Sequence, residues 1–422
     1  MQQARVTDTG SPHRLGAAVL TVADAAGRPL PEVDVVVAQA SHEFSFGNLG
    51  FDFVHLANGR GTAADEALAS QWLDLFNTAT LGFYWRDFEP ERGSPRTREL
   101  LATARWFADR GIRLKGHPLV WHTLSPRWLL DLGTAEVESL LRARIRREAG
   151  DFAGLVGAWD AINEAVILPV FTAEDNAVSR LARARGRIAT VRLAFEEARA
   201  ADPGAVLLIN DFDLSSAYER LIEELLEAGI GIDAIGLQTH MHQGFRGEEQ
   251  ITAIADRFGR FGLPLHFTET SLVSGELMPA HIVDLNDHVV DSWPSTAEGE
   301  ARQADEILRH YRALVAHPAV EAINYWGITD RGAWLGAPIG LVRADGTPKP
   351  SFAALRGLIK GDWWLAPTTL RTDAAGRVAV AGFRGGYTVA LPGQGAAAAF
   401  TIGAGEARLD VRLPPPPGPR DG

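Results

Sequence analysis

Cysteine is missing from all 422 residues, so a disulfide framework, a thiolate nucleophile and a cysteine zinc site are closed to this chain. Carboxylates, imidazoles and hydroxyls must then carry any chemistry. An excess of positive charge is missing too, since 41 Lys and Arg stand against 53 Asp and Glu for a formal charge of −12. A balance of that sign leaves no electrostatic footprint for nucleic acid or an anionic membrane, and neither is expected as a partner. No apolar run reaches the roughly 18 to 20 residues of a membrane span. No Gly-x-Gly-x-x-Gly follows an early strand, so the sequence offers no dinucleotide cradle.

What is present is the composition of a large globular chain, 46% hydrophobic and 22% charged, with 11 tryptophans. Near the N-terminus, Leu20 and Val22 lead through Asp24-Ala25-Ala26-Gly27-Arg28-Pro29 into Val33, Val35 and Val37. His13-Arg14 and the apolar residues after it resemble a short leader, but this strand, turn and strand is more than a removable peptide needs. A cytoplasmic setting is therefore favoured, a secreted one following if the recorded start is truncated. Asp-Ala-Ala-Gly-Arg recurs at 373–377 in a second β-like segment. Because a lone hairpin is marginal in water, the two ends are expected to complete one small accessory β-sandwich. The expected division is residues 1–44 and 363–413 for that domain, 45–362 for the central one, and 414–422 for a loose proline tail.

Between the ends, eight short apolar runs alternate with helical patterns. The runs begin at Phe46, Thr78, Leu114, Ala158, Ala205, Ala234, Leu265 and Ala322. This alternation predicts an α/β fold, a (β/α)8 TIM barrel, with a doubly wound sheet as the other architecture considered. In a barrel the chemistry gathers where strands end. Those ends carry Tyr84, Trp85, Arg86 and Asp87, then His117, Trp121 and His122, then Asn163-Glu164, Asn210-Asp211, Gln238 and His240, Glu269, and Trp326. Two glutamates facing one another across a barrel mouth are what glycoside hydrolysis needs, one protonated to donate to the leaving oxygen and one ionised. Tryptophans near strand ends supply flat platforms for sugar rings.

Five strings carry a resemblance: Leu114 to His122, Trp159-Asp160-Ala161-Ile162-Asn163-Glu164, Ile209 to Phe212, Gly236-Leu237-Gln238-Thr239-His240, and Trp326 to Trp334. In this order they resemble the strand motifs of glycoside hydrolase family 10, the endo-β-1,4-xylanase family, over residues 44 to 360. The resemblance implies a retaining enzyme that needs neither metal nor cofactor and acts on an oligosaccharide or glycoside. Glu164 resembles the acid/base and Glu269 the nucleophile. His240 resembles the histidine that orients the nucleophile, and Gln238 the family's site amide. Asn163 and His117 resemble sugar contacts next to the cleaved bond, with Trp326 and Trp334 as its aromatic walls. Trp121, Tyr84 and Trp85 are further candidates for contact with substrate. Such a retaining pair needs carboxyl groups about 5 to 5.5 Å apart.

Two departures stand out. Where the family usually carries Glu-Asn-x-x-Lys-Trp to grip sugars, this chain has Thr80-Leu81-Gly82-Phe83-Tyr84-Trp85, so all three polar grips are replaced. The nucleophile motif ends Thr268-Glu269-Thr270-Ser271 where the family commonly has Thr-Glu-Leu-Asp, which removes a supporting carboxylate. The expectation is a xylanase-like hydrolase turned toward another glycoside, with Leu81, Phe83 and Tyr84 offering apolar surface or merely packing. The reading from a different class is a carbohydrate-binding protein on an inactive barrel. A zinc cluster of His117, His122, His240 and His242 is the lesser alternative to a metal-free site. Arg86 and Asp87 are read as an ion pair or as substrate contacts. The stretch from Glu276 to Glu300, with Trp293-Pro294, follows the nucleophile strand and is placed to roof the leaving-group side. Sugar, linkage, endo or exo cleavage and oligomeric state are not set by the sequence.

Overall fold

Alternation of buried and half-exposed residues shapes the terminal segments: along Leu15–Ala23 every second side chain, Ala18, Leu20 and Val22 among them, faces inward. The computed structural model describes residues 1–6, 10–394 and 397–414. The early strands are β1 (Gln3–Arg5), β2 (Leu15–Ala23) and β3 (Asp34–Gln39). The barrel strands are β4 (Ser45–Leu49), β5 (Thr78–Gly82), β6 (Arg113–His117), β7 (Ala158–Asn163), β8 (Val206–Asp211), β9 (Ala234–Met241), β10 (Leu265–Leu272) and β11 (Val320–Tyr325). The late strands are β12 (Thr368–Arg371), β13 (Arg377–Phe383), β14 (Gly385–Ala390), β15 (Ala398–Ile402) and β16 (Gly405–Arg412).

The chain divides into two compact units, one of them built from Met1–Ser45, Val315–Pro318 and the chain from Phe352 on. Its early and late strands form two four-stranded sheets, β1-β13-β2-β16 and β12-β3-β14-β15. Their inner faces bury Val35, Val37, Val378, Val380, Val389 and Ile402. Tyr387 of one sheet donates its hydroxyl to Phe383 O of the other at 2.6 Å, and Gly382 leaves room for it. Within this unit His42 pairs with Ile359 O at 2.9 Å and packs edge-on against Trp364, which joins the segment from Phe352 to the early strands. From Pro415 on, the expected proline tail lies outside the described residues.

The other unit, Phe46–Leu314 with Ala319–Ser351, is the barrel. Its strands close in the order β10-β11-β4-β5-β6-β7-β8-β9, with parallel pairing in every register described, and helices such as Thr134–Asp151 and Ala297–Val315 fill the connections. Runs such as Leu207-Leu208-Ile209 are buried on both faces, which is why they read as continuous apolar segments. The interior of the barrel is polar at several levels. Thr80 Oγ1 donates to Asn324 Oδ1 at 3.1 Å, Asn324 Nδ2 to Thr268 O at 3.0 Å, and Thr268 Oγ1 to Asn210 Oδ1 at 2.5 Å. Gly236 is required beside this ladder, since a Cβ there would run into the Asn210 amide. Among the described residues no helix is long and apolar enough to cross a membrane.

Candidate active site

Because all eight strands run in parallel, their C-terminal ends open on one face, and the polar residues collect there. Glu164 is the residue just beyond β7. Its φ of 56° lies in the left-handed region, a conformation that costs about 1 to 3 kcal/mol for a side chain with a Cβ. The turn is held by its backbone N–H, which donates to Asn210 O at 2.7 Å. Trp121 Nε1 donates to Glu164 Oε2 at 2.7 Å, while the Asn163 and Gln238 amides reach Oε1 at 3.4 Å each. Burial pushes the Glu164 carboxyl up to about 8; the Trp121 hydrogen bond opposes this, and the charges of Asp211 and Glu269 add to it. Asp211, also buried, is itself pushed up to about 7 despite hydrogen bonds from the Val166 and Asp213 N–H groups.

Glu269 sits within β10, and both of its oxygens are bonded. Asn210 Nδ2 donates to Oε1 at 2.9 Å, and His240 Nε2 lies 3.1 Å from Oε2. The other nitrogen of His240 lies 3.1 Å from Ser271 Oγ. His117 Nε2 approaches Oε1 at 3.9 Å, and its Nδ1 lies 2.6 Å from Asp160 Oδ2. Burial would raise Asp160, but the Lys115 ammonium at 2.7 Å and the His117 contact outweigh it and hold the carboxyl below the usual range. The two glutamates are joined by amides. Asn163 Oδ1 accepts from Asn210 Nδ2 at 2.8 Å and from Gln238 Nε2 at 3.0 Å, and those two donors also touch Glu269 and Glu164. One rigid amide relay thus fixes both carboxyl groups.

Aromatic rings enclose this relay. Trp326 lies 5.2 Å from His117 and 6.1 Å from His240 between ring centres, and Trp334 lies 5.0 Å from His240. Tyr84 stands 5.6 Å from both His117 and Trp121 and 5.8 Å from Phe51. Burial first, then the charges of Glu269 and Glu164, raise its phenol well above the ordinary value, so it stays neutral.

The structure therefore brings together Glu164, Glu269, His117, Trp121, Asn163, Gln238, His240, Trp326, Trp334 and Tyr84. Trp85 is not among them: its indole is buried, donates to Glu89 Oε2 at 3.2 Å and packs on Arg144 and Trp128. The tryptophan follows the turn at Tyr84 onto the helical turn Trp85–Phe88, whose inner face meets the helix layer. Leu81 and Phe83 are fully buried as well, so they pack and offer no surface to a ligand. Arg86 and Asp87 form an exposed ion pair at 3.1 Å. Asn210, Asp211, Asp160 and Ser271 join the site without having been assigned a role from sequence. The signal for Asn210 and Asp211 was their place at a strand end, for Asp160 its place in the Trp159–Glu164 string, and for Ser271 its position where a carboxylate is common; their partners come from the structure. His122 lies 3.7 Å from Glu164 Oε2, and burial lowers its imidazole to about 4.

Comparison with known proteins gives a consistent picture. The model of the Glycosyl hydrolase family 10 matches residues 59–357. Endo-1,4-beta-xylanase B of Thermotoga neapolitana is 27% identical over 303 residues, 68% of this chain and 81% of the relative. An endo-1,4-beta-xylanase/feruloyl esterase of Xylanibacter ruminicola is 25% identical over 311 residues, 67% of this chain but 42% of the relative. The structure of xylanase 10B from Thermotoga petrophila RKU-1, solved with xylobiose, shares the fold with a TM-score of 0.62 at 22% identity, covering 75% of this chain and 94% of that one.

Proposed function

Given that this chain belongs to glycosyl hydrolase family 10 and is a glycoside hydrolase, we propose that it cleaves a β-glycosidic bond with retention, on a glycoside other than a plain xylan chain. The observation that carries the reading is the amide relay that ties two carboxyl groups together at the barrel mouth, Glu164 accepting from Trp121 and Glu269 bonded by Asn210 and His240. Glu164, pushed up to about 8, keeps its proton at neutral pH and can give it to the leaving oxygen. Glu269, bonded through both oxygens, attacks the anomeric carbon from the other side as the C–O bond breaks. Glu164, now a carboxylate, then takes a proton from water as that water displaces Glu269 and restores the starting state. His240 and Asn210 hold the nucleophile in line, and Asn163, whose carbonyl oxygen is occupied by two amides, keeps its own NH2 group directed at the acid.

The altered specificity rests on residues 80 to 84. Thr80 and Leu81 are buried in the barrel wall, so neither reaches a sugar, and the position of the third polar grip holds the neutral ring of Tyr84. Each lost sugar hydrogen bond is worth about 0.5 to 1.5 kcal/mol, more where a charge made it.

The test is a panel of aryl β-glycosides (xyloside, xylobioside, glucoside, cellobioside, arabinoside) beside xylan, with Glu269→Ala as the blank. Turnover confined to glycosides other than xylan and the xylobioside supports the reading. Xylan or xylobioside turnover that vanishes in Glu269→Ala would return the chain to ordinary xylanase specificity, and turnover of nothing favours a binding protein.

A further inference from the structure

The strand that carries Glu269 is irregular just before it. In the pairing of β10 with β9, Phe267 stands opposite Leu237 and Glu269 opposite Gln238, so Thr268 is one residue too many. The pairing with β11 slips over the same stretch, between Phe267 and Thr270. A bulge of this kind breaks the alternation of faces, and here two consecutive side chains meet one amide. Thr268 Oγ1 donates to Asn210 Oδ1 at 2.5 Å, and Nδ2 of that amide donates to Glu269 Oε1 at 2.9 Å and to Asn163 Oδ1 at 2.8 Å. Behind Thr268 the donors continue to the opposite wall, Asn324 Nδ2 giving to Thr268 O at 3.0 Å and Thr80 Oγ1 to Asn324 Oδ1 at 3.1 Å. Thr80, Asn324, Thr268 and Asn210 are all buried, and none carries a charge.

The Thr268 hydroxyl fixes which way the Asn210 amide faces. Turned over, that amide would set its oxygen against Glu269 Oε1 and Asn163 Oδ1, two further acceptors. In the observed sense, donation into Oδ1 polarises the amide and strengthens the N–H that Glu269 accepts. A stronger donor on Glu269 acts with opposite sign in the two halves of a double displacement. It favours the carboxylate, so it does nothing to speed attack on the anomeric carbon. It favours the carboxylate's departure, in which a water oxygen bonds to that carbon, the bond from carbon to Glu269 breaks with its electron pair returning to the carboxylate, and Glu164 takes the water's proton.

We propose that Thr268 is a positioning residue that acts through Asn210 to speed the release of Glu269 from the covalent glycosyl intermediate. The proposal rests on the retaining-hydrolase reading. Its test compares the unaltered full-length chain with Thr268→Val and Thr268→Ser on the 2,4-dinitrophenyl glycoside that the unaltered chain hydrolyses fastest. In Thr268→Val, kcat is expected to fall about three- to tenfold, the worth of one hydrogen bond, with KM falling beside it and kcat/KM held within about twofold. Intact-mass spectrometry after an acid quench is expected to find a larger share of the chain carrying the sugar. Thr268→Ser, which keeps the hydroxyl, is expected to bring both readouts back. If Thr268→Val does not fold, Thr268→Ala removes the same hydroxyl and carries the same test. A residue that only holds the fold would lower kcat and kcat/KM together, with no build-up of the sugar-bearing chain, and that result overturns the proposal. So do unchanged kinetics, or a serine variant no better than the valine one. These outcomes leave the hydrolase reading standing, whereas absence of turnover by the unaltered chain on every glycoside takes both down.

Discussion

His240 Nδ1 lies 3.1 Å from the hydroxyl of Ser271, while its Nε2 lies 3.1 Å from Glu269. A hydroxyl that donates to Nδ1 leaves the ring proton on Nε2, where it points at the nucleophile. A Ser271 hydroxyl in that donating role selects the useful tautomer without supplying a charge, and variants at Ser271 test whether it plays it. Ser271→Ala is expected to lower kcat about fivefold, the worth of one hydrogen bond, with KM little changed. Ser271→Asp places a carboxylate on Nδ1 and favours the imidazolium, so the acid limb of kcat/KM moves to lower pH. Unchanged kcat and pH profile in both variants would show that Ser271 only fills space.

The proton on Glu164 sets the alkaline limit. A carboxyl raised to about 8 is protonated below that pH and ionised above it, so kcat/KM is expected to fall as pH rises through about 8. Asp211→Asn removes one of the charges that raise it and moves this limb downward. Glu164→Gln is expected to cost about 10²- to 10⁴-fold on substrates with poor leaving groups and much less on a dinitrophenyl glycoside. A limb that stays put in Asp211→Asn would contradict the coupling.

Tyr84 stands at the position where the family resemblance would place a cationic grip. Tyr84→Phe should be nearly silent on aryl glycosides if only the ring matters, and Tyr84→Lys should restore a charged donor worth about 1.5 to 3 kcal/mol to a xylo-oligosaccharide. The readout is the ratio of kcat/KM for xylobioside to that for xyloside, expected to rise roughly tenfold or more in Tyr84→Lys. No rise would mean that Tyr84 does not determine the glycone.

Arg144 holds the site together from behind. It lies on the helix Thr134–Asp151, is buried, pairs with Glu148 at 3.1 Å, and donates to the carbonyls of Phe83 and Leu119 just before Tyr84 and just ahead of Trp121. Arg144→Ala leaves buried Glu148 with Arg147 as its guanidinium partner at 2.8 Å and strips the Phe83 and Leu119 carbonyls of their donor, and is expected to cost about 2 to 4 kcal/mol in denaturant unfolding. Arg144→Met with Glu148→Leu should recover most of that stability but not the loop positions, so the unfolding midpoint returns while kcat stays low.

The barrel was legible because its parallel strands are buried on both faces and its helices on one, two patterns that the linear sequence displays directly. That Glu164 and Glu269 would meet at the strand ends was legible too, from their places after β7 and within β10. Trp85 misled because a tryptophan one residue past a turn has no sequence mark of which way it faces; the turn at Tyr84 sent it into the helix layer. Of the two readings of Leu81 and Phe83, ligand surface or packing, burial selects packing. Residue types and their order along the chain thus determined the architecture and which carboxyl, amide and imidazole groups stand at the strand ends. Which amide bridges the two carboxyls and how far burial lifts Glu164 were decided by tertiary structure alone, because each depends on distances between side chains that lie far apart in the chain.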